Sequence, residues 1–485
     1  MFTDTKNRTP IDLLAIVVVG VIVNFSFLNR EVAWGSHESR HSVIAAEMME
    51  RHDYLVPRRL GELYPDKPPV MHNLIVLLYR LTGKVTMLDA RIPSATAGIV
   101  GALALYAMAV LLYDRKTALF AGLTVLSIPG YVILSRIARP DMIFIATMLV
   151  ASWLLIWGMK RQGLGSRLWI FAAAGICTGI SALTKGPYGL LFPLIVVVLA
   201  SIHRDDLRRP RYFEWLIVAA AFVVLLSLWT VPVYLRDHGE YLKSVIFQPD
   251  LMTMAGGKVG GTRRPFYWYL GPAPLYFLPW TLFLPLVVLE VRRRYSAGPY
   301  IALAVFVVLS CVPGKRENYL GPWFPFAMLA VANSITQRED RRWVRTSSRI
   351  LLGLSILSIP LYYGWIEPRI SGPIEPERVF AEKVMEVVPE KSSVIGFRGM
   401  GEAVSFINYE RGRPYVVDVV ETRAPDKLLL LVESALSTGK PCYVMVMNRD
   451  LKLALDAMHD ERVDLVFERE VKKREFWKLY RVSHH

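Results

Sequence analysis

The sequence predicts a polytopic α-helical membrane protein with a small extracytoplasmic α/β domain at its C-terminal end. Three observations point there. Of 485 residues, 53% are hydrophobic and 20% charged, and the mean hydropathy is +0.34, too apolar for an ordinary soluble chain. Apolar runs near membrane-spanning length recur between residues 11 and 366. Leu, Ile and Val fill whole segments of them, without the one-sided stripe of a surface helix. From residue 367 onward, short apolar runs alternate with helical patterns, as in an α/β domain with a largely parallel sheet. The expected domains are therefore 1–366, transmembrane with a catalytic first extracytoplasmic loop over 30–69, and 367–485, an extracytoplasmic α/β domain.

The net charge of +15 reads first as a topology signal and an attraction to anionic membrane lipids. No basic stripe interleaved with aromatics lies outside the apolar segments, so nucleic acid is not an expected partner. Cys177, Cys311 and Cys442 lie far apart and build neither a disulfide framework nor a CxxC metal site.

In chain order, Lys6 and Arg8 precede an apolar run from Ile11 to Leu28 with no small-x-small cleavage site after it. An uncleaved first span with a cytoplasmic N-terminus is expected. The polar stretch Trp34–Pro69 follows, and within it Ser42–Arg51 suits a helix lying along the membrane surface. Apolar segments then fall at 70–82, 92–113, 117–135, 141–159, 167–183, 187–201, 213–235, 267–290, 298–312, 319–335 and 348–366. Basic clusters occupy alternate connections: Arg115-Lys116, Lys160-Arg161 with Arg167, Arg204–Arg211, Arg292–Arg294 and Arg338–Arg349. The positive-inside rule places these in the cytoplasm and the other connections outside. Residues 70–82 are too short to cross, and reading them as interfacial restores the parity. About 11 crossings result, or about 13 if a pair is hidden. Beyond them, strands are expected at 393–397, 414–418, 441–447, 463–468 and 476–482, with helices at 376–387, 402–410, 425–438 and 449–459.

On this topology the outward connections carry the ionisable chemistry. Ser36-His37-Glu38-Ser39-Arg40-His41 offers a base, a carboxylate and a guanidinium within about two turns, a set able to bind a divalent cation or a phosphate. A hydrated juxtamembrane loop would look the same. In Tyr64-Pro65-Asp66-Lys67-Pro68-Pro69 the prolines stiffen an acid–base pair, for a phosphate or simply for a rigid hinge. Asp141, after Arg136, Arg139 and Pro140, opens an apolar helix, which is costly unless paired or functional. Lys185 after Thr184, the run Arg263-Arg264-Pro265-Phe266-Tyr267-Trp268-Tyr269, and Lys315-Arg316-Glu317-Asn318-Tyr319 put cations on the outer face, against the usual bias. Either they await an anionic ligand, or they snorkel to the interface beside an aromatic belt.

Taken together these motifs resemble the GT-C glycosyltransferases that use polyprenyl-phosphate sugars, the ArnT-like aminoarabinose transferases and their protein O-mannosyltransferase relatives. Their pattern runs W-x-P-D-E-x-R-Y, G-D-W-L-V-P, Y-F-E-K-P-P, A-R-L-P-S-A, A-R-x-D-M, T-K-G, R-x-P-F-W-Y-Y and G-K-L-P-x-Y. Here stand Trp34 with His37-Glu38-Ser39-Arg40-His41, His52–Pro57, Tyr64–Pro69, Ala90–Ala95, Ala138–Met142, Thr184–Gly186, Arg264–Tyr269 and Gly314–Tyr319.

The resemblance covers about residues 11–335 and implies inverting transfer of a sugar from a polyprenyl-phosphate donor to a lipid, glycan or protein acceptor at the outer face of the cytoplasmic membrane. It implies substrate contacts from Arg40, Tyr64, Lys67, Lys185, Arg263, Arg264, Lys315, Arg316 and Tyr319, with Lys67, Arg264, Lys315 and Tyr319 on the donor phosphate. Catalytic roles fall to His37, Glu38, Asp66 and Asp141, and Glu38 with Asp66 would arrange a divalent metal ion or the acceptor. His37 stands where the family has an aspartate, and His41 where it has a tyrosine. His37 takes the acceptor proton, or Glu38 or Asp66 does, or the acceptor is an already ionised phosphate that needs no base. An inactive relative would carry the same departure. The alternative from another class is a non-enzymatic binder or transporter of lipid-linked sugars, for which internal pseudo-symmetry is expected and not seen.

Overall fold

The computed structural model describes residues 9–29, 36–246, 263–293, 296–371, 376–412, 417–458, 461–472 and 475–484. The chain divides into two compact units. One comprises Met1–Leu28, Pro65–Met71 and Arg91–Gly364; the other comprises Asn29–Tyr64, His72–Ala90 and Trp365–His485.

Among its described residues the first unit is built almost wholly of helices. Five described helices are long and apolar enough to cross a membrane: Met87–Leu112, Pro140–Lys160, Leu164–Lys185, Tyr212–Asp237 and Arg342–Ile370. Two expected segments are instead bent pairs. Residues 117–135 form Arg115–Val125 and Pro129–Arg136, inclined at 60°, because Pro129 cannot continue the preceding helix. Residues 267–290 form Phe266–Tyr276 and Trp280–Val291, inclined at 109°. Counting each pair as one span gives up to seven, and five more apolar helices have 10–17 residues.

Several buried charged groups among these helices are paired, as a low-dielectric setting favours. Asp12 accepts two hydrogen bonds from Arg115 at 2.6 Å and one from Tyr106 at 3.1 Å. Arg136 caps the first helix by donating to the carbonyls of Val23, Asn24 and Ser26. Arg167, fully buried, grips Glu214 through two hydrogen bonds of 2.6 and 2.7 Å.

Contacts at one end of this unit tie the basic clusters together. Lys116 meets Glu339 at 3.8 Å, Arg338 meets Glu290 at 3.1 Å, and Lys160 meets Asp206 at 3.0 Å. Arg204 also binds Asp206 and donates to the Leu112 carbonyl. Asp141 begins the helix that ends at Lys160, so about 30 Å of helix separates Asp141 from the basic belt.

In the second unit, the helix expected to lie wet-sided on the membrane surface is Ser36–Glu50, and it is buried: Val43, Ile44, Ala45 and Ala46 are wholly inaccessible. It packs on the helix Gly401–Glu410, which covers the face a surface helix would leave wet. A two-stranded hairpin, β1 (Arg58–Arg59) and β2 (Glu62–Leu63), follows it.

The C-terminal sheet holds β3 (Ser392–Phe397), β4 (Val417–Thr422), β5 (Cys442–Met447), β6 (Glu461–Lys472) and β7 (Glu475–His484) in the order β4-β3-β5-β7-β6. β3 pairs in parallel with β4 and β5, whereas β7 is antiparallel to both β5 and β6. The sheet is thus mixed rather than largely parallel. β6 and β7 are separated by two residues, a connection that allows only a hairpin, while each parallel pair is bridged by a helix. The expected strand 414–418 lies at Val417–Thr422, its first residues outside the described ones. Helices Pro376–Val387, Gly401–Glu410 and Pro425–Ser437 fall where the apolar periodicity puts them.

Candidate active site

Two cavities lie side by side in the first unit. The larger, about 440 Å³, is lined by Asp66, Lys67, Lys185 and Tyr319 at its polar end and by Phe144, Leu183, Tyr188, Phe192, Phe222, Leu226 and Trp229 along its apolar length. The smaller, about 380 Å³, is lined by Arg139, Arg264, Lys315, Arg316, Glu317, Asn318, Tyr276 and Trp268. The loop 314–319 is their common wall, with Gly314 and Tyr319 facing the first, and Lys315 through Asn318 the second.

Asp141 joins the two sides. It is buried, and Lys185 Nζ donates to its Oδ1 at 2.5 Å from the first cavity. From the second, Asn318 Nδ2 donates at 2.9 Å, and Arg139 Nε stands at 3.3 Å as an ion pair without hydrogen-bond alignment. Pro140 preorganises the first turn, where a carboxylate is favoured by the helix dipole. Lys185 closes its own helix and is followed by Gly186 at φ 78°, a left-handed ending that suits glycine. Its ammonium lies 4.9 Å from the Tyr319 ring centre and 5.6 Å from that of Phe144.

The second cavity is strongly cationic: Arg139, Arg264, Lys315 and Arg316 face the single carboxylate Glu317, itself held by Tyr276 at 2.5 Å. Lys315 donates to the carbonyls of Val312 and Arg264 at 2.5 and 3.2 Å, and burial lowers its pKa from the ordinary lysine value. The loop bearing it is pinned by the Arg263–Gly314 bridge, by Arg264 N on the Pro313 carbonyl, and by Tyr269 donating to the Arg316 carbonyl at 3.1 Å. Arg264 lies over the Trp268 ring at 4.3 Å.

The remaining sequence-predicted residues belong to the second unit. The His37 side chain and Trp34 lie outside the described residues. Glu38 is buried in the first turn of Ser36–Glu50. Arg40 donates to Glu402 at 2.6 Å, and Tyr64 stands edge-on to the buried His72 ring. His72 in turn hydrogen-bonds His41 at 3.0 Å, and burial pushes its pKa down to about 3. Among the described residues no three His, Cys, Asp or Glu side chains are placed to hold a metal ion. Sequence reasoning passed over Arg139 and Asn318 as site residues, although both stand in quoted motifs. It also passed over Glu402 and Glu421, which no local motif marks.

A family profile described as dolichyl-phosphate-mannose-protein mannosyltransferase matches residues 66–229. An undecaprenyl phosphate-alpha-4-amino-4-deoxy-L-arabinose arabinosyl transferase of Aeromonas hydrophila is 28% identical over 319 residues, 64% of this chain and 57% of that one. The Pseudomonas aeruginosa protein of the same name is 26% identical over 344 residues, 68% and 61% of the two chains. The chain thus spans little more than half the length of these curated relatives. In structure it superposes on ArnT from Cupriavidus metallidurans bound to undecaprenyl phosphate with a TM-score of 0.70 at 17% identity, covering 96% of this chain and 97% of that one. The archaeal oligosaccharyltransferase AglB from Archaeoglobus fulgidus, in complex with an inhibitory peptide and a dolichol-phosphate, gives 0.56 at 11% identity, covering 99% and 74%. The fold is the GT-C fold of a multi-pass membrane protein.

Proposed function

We propose that this GT-C-fold chain is an integral-membrane inverting glycosyltransferase of the cytoplasmic membrane. It moves a sugar from a polyprenyl-phosphate donor to a lipid, glycan or protein acceptor at the outer face. One observation carries the reading: Asp66, Lys67, Lys185 and Tyr319, far apart in sequence, line the polar end of one long apolar cavity. An apolar cavity ending in cations has the chemistry of a lipid phosphate. The names of the relatives, an undecaprenyl phosphate-aminoarabinose transferase and an ArnT bound to undecaprenyl phosphate, support the same reading.

In the reaction the acceptor oxygen bonds to the anomeric carbon as the carbon–oxygen bond to the lipid phosphate breaks. Lys67 and Lys185 face the departing phosphate, and Arg264 and Arg316 neutralise charge on the other side of the shared loop. Such preorganised cations are the usual source of most of the barrier lowering. Asp141, saturated by Lys185, Asn318 and Arg139, holds these groups in place rather than taking a proton. Asp66 is exposed on the cavity wall and is the carboxylate available to take the acceptor proton. An anionic acceptor needs no base, and the cationic second cavity suits one. The outward orientation rests on the basic belt, which lies at the far end of the Asp141 helix and by the positive-inside rule is cytoplasmic.

The test is mass spectrometry of purified protein incubated with a polyprenyl-phosphate sugar, alongside the lipids of a deletion strain. Free polyprenyl phosphate should appear, and one glycosylated envelope component should vanish on deletion. Donor that binds but never turns over would instead favour a binder or transporter.

A further inference from the structure

We propose that the C-terminal α/β domain is a built-in clamp on the first loop, and that Glu402 is a positioning residue for sugar transfer. The inference rests on the glycosyltransferase reading above. Glu402, in the first turn of Gly401–Glu410 and nearly inaccessible, receives two arginines of the loop. Arg40 Nε lies at 2.6 Å and Arg59 Nε at 2.7 Å from the same oxygen. Arg59 reaches on to Glu421 of β4 at 2.8 Å.

Two further links flank this centre. Glu50 accepts a hydrogen bond from Tyr409 at 2.6 Å, and Glu62 pairs with Lys427. Every link joins a residue of 36–64 to one beyond 400. Surface ion pairs contribute little, but here three of the four charged groups at the centre are less than one-fifth exposed and the fourth little more. Breaking such a buried network is costly. Gly401 fits the same contact: a Cβ there would meet Leu60 Cδ1 at 2.9 Å and Glu421 at 3.1 Å.

The consequence reaches chemistry through the chain itself. Arg40 sits one helical turn from His37, so fixing its guanidinium fixes the start of that helix. Arg59 and Glu62 lie a few residues before Asp66-Lys67, and the intervening Pro65 and following Pro68-Pro69 leave few backbone freedoms in which the anchoring could be lost. Glu421 Oε2 is buried without a hydrogen-bond partner among the described residues, and burial raises the Glu421 pKa. Such a network is specified by its full set of partners and fails together. Arg40, expected to touch substrate, is by this geometry part of the clamp.

The test uses full-length protein in detergent with a polyprenyl-phosphate sugar, comparing Glu402→Gln, Glu402→Asp and Glu421→Gln. Turnover and hydrogen exchange are read on each. Glu402→Gln should lower kcat at least tenfold and remove exchange protection from 58–67, while 140–185 keeps its protection; Glu402→Asp should recover most of the turnover. Loss of protection at 58–67 with kcat within twofold of the parent overturns the proposal, as does unchanged protection in both Gln variants. Should Glu402→Gln fail to accumulate in membranes, Glu421→Gln decides by the same criteria. A parent chain with no transfer activity would overturn the glycosyltransferase reading instead, and exchange at 58–67 would still decide whether the clamp exists.

Discussion

Replacing Asp141 by Asn keeps the shape of the side chain and removes one negative charge from between two cations. At 2.5 Å from Lys185 and 3.3 Å from Arg139, each attraction is about 5–7 kcal/mol at an effective dielectric near 20. Desolvation of buried ions offsets much of that, leaving about 3–5 kcal/mol as the cost of breaking a buried pair from one side. Asn318 also loses its charged acceptor. We expect Asp141→Asn to lower the thermal midpoint by several degrees and turnover at least tenfold, because Lys185 no longer has a fixed seat. The Lys185→Met variant should cost a similar amount. The double variant should cost clearly less than the sum, since it leaves neither partner stranded. Thermal unfolding of the four proteins in one detergent, with donor turnover on each, closes the cycle. Single variants within about 1 kcal/mol of the parent, or a cycle additive to about 0.5 kcal/mol, would refute Asp141 as the counter-ion that seats Lys185.

Lys67→Ala and Arg264→Ala should each cut kcat by about 10²–10³-fold, the loss typical of one transition-state donor, with membrane insertion unchanged by fractionation. Arg167→Met should destabilise the protein by about 3–5 kcal/mol, because it strands Glu214 in a buried site; the thermal midpoint checks it. Glu47 accepts from the Leu60 and Gly61 amides at 2.7 and 3.2 Å, yet burial raises its pKa from 4.5 to about 7. Its protonated form is therefore favoured in the fold: the contribution is complete below pH 4.5 and is lost as pH rises through about 7, by up to about 3 kcal/mol. Glu47→Gln should flatten that part of the parent's midpoint-versus-pH curve, and parallel curves for the two proteins would count against it.

The transmembrane half was largely legible because apolar runs and charge asymmetry are written locally. Even Asp141 and Lys185 announced themselves, as charges at the ends of greasy helices. Helix bends were not legible: Pro129 breaks a segment, but Pro193 and Pro232 lie inside continuous helices, so proline alone does not decide. The motifs gathered the cations but did not sort them. The course of the loop 314–319 sends Tyr319 to one cavity and Lys315 to the other, and no local rule predicts which. The role of Arg40 was hidden for a plainer reason, since its partner Glu402 is 362 residues away. The mixed sheet was readable after all: even the seven residues between the expected strands 463–468 and 476–482 leave no room for a crossover.

The most direct test of the account is photo-crosslinking with a polyprenyl phosphate carrying a photoreactive group near its head. Labelling should fall on peptides containing Lys67, Lys185 and Tyr319, be displaced by unlabelled undecaprenyl phosphate, and weaken in Lys67→Ala. Labelling confined to other helices, or indifferent to both competitor and substitution, would mean that the apolar cavity and its cations do not hold the lipid phosphate.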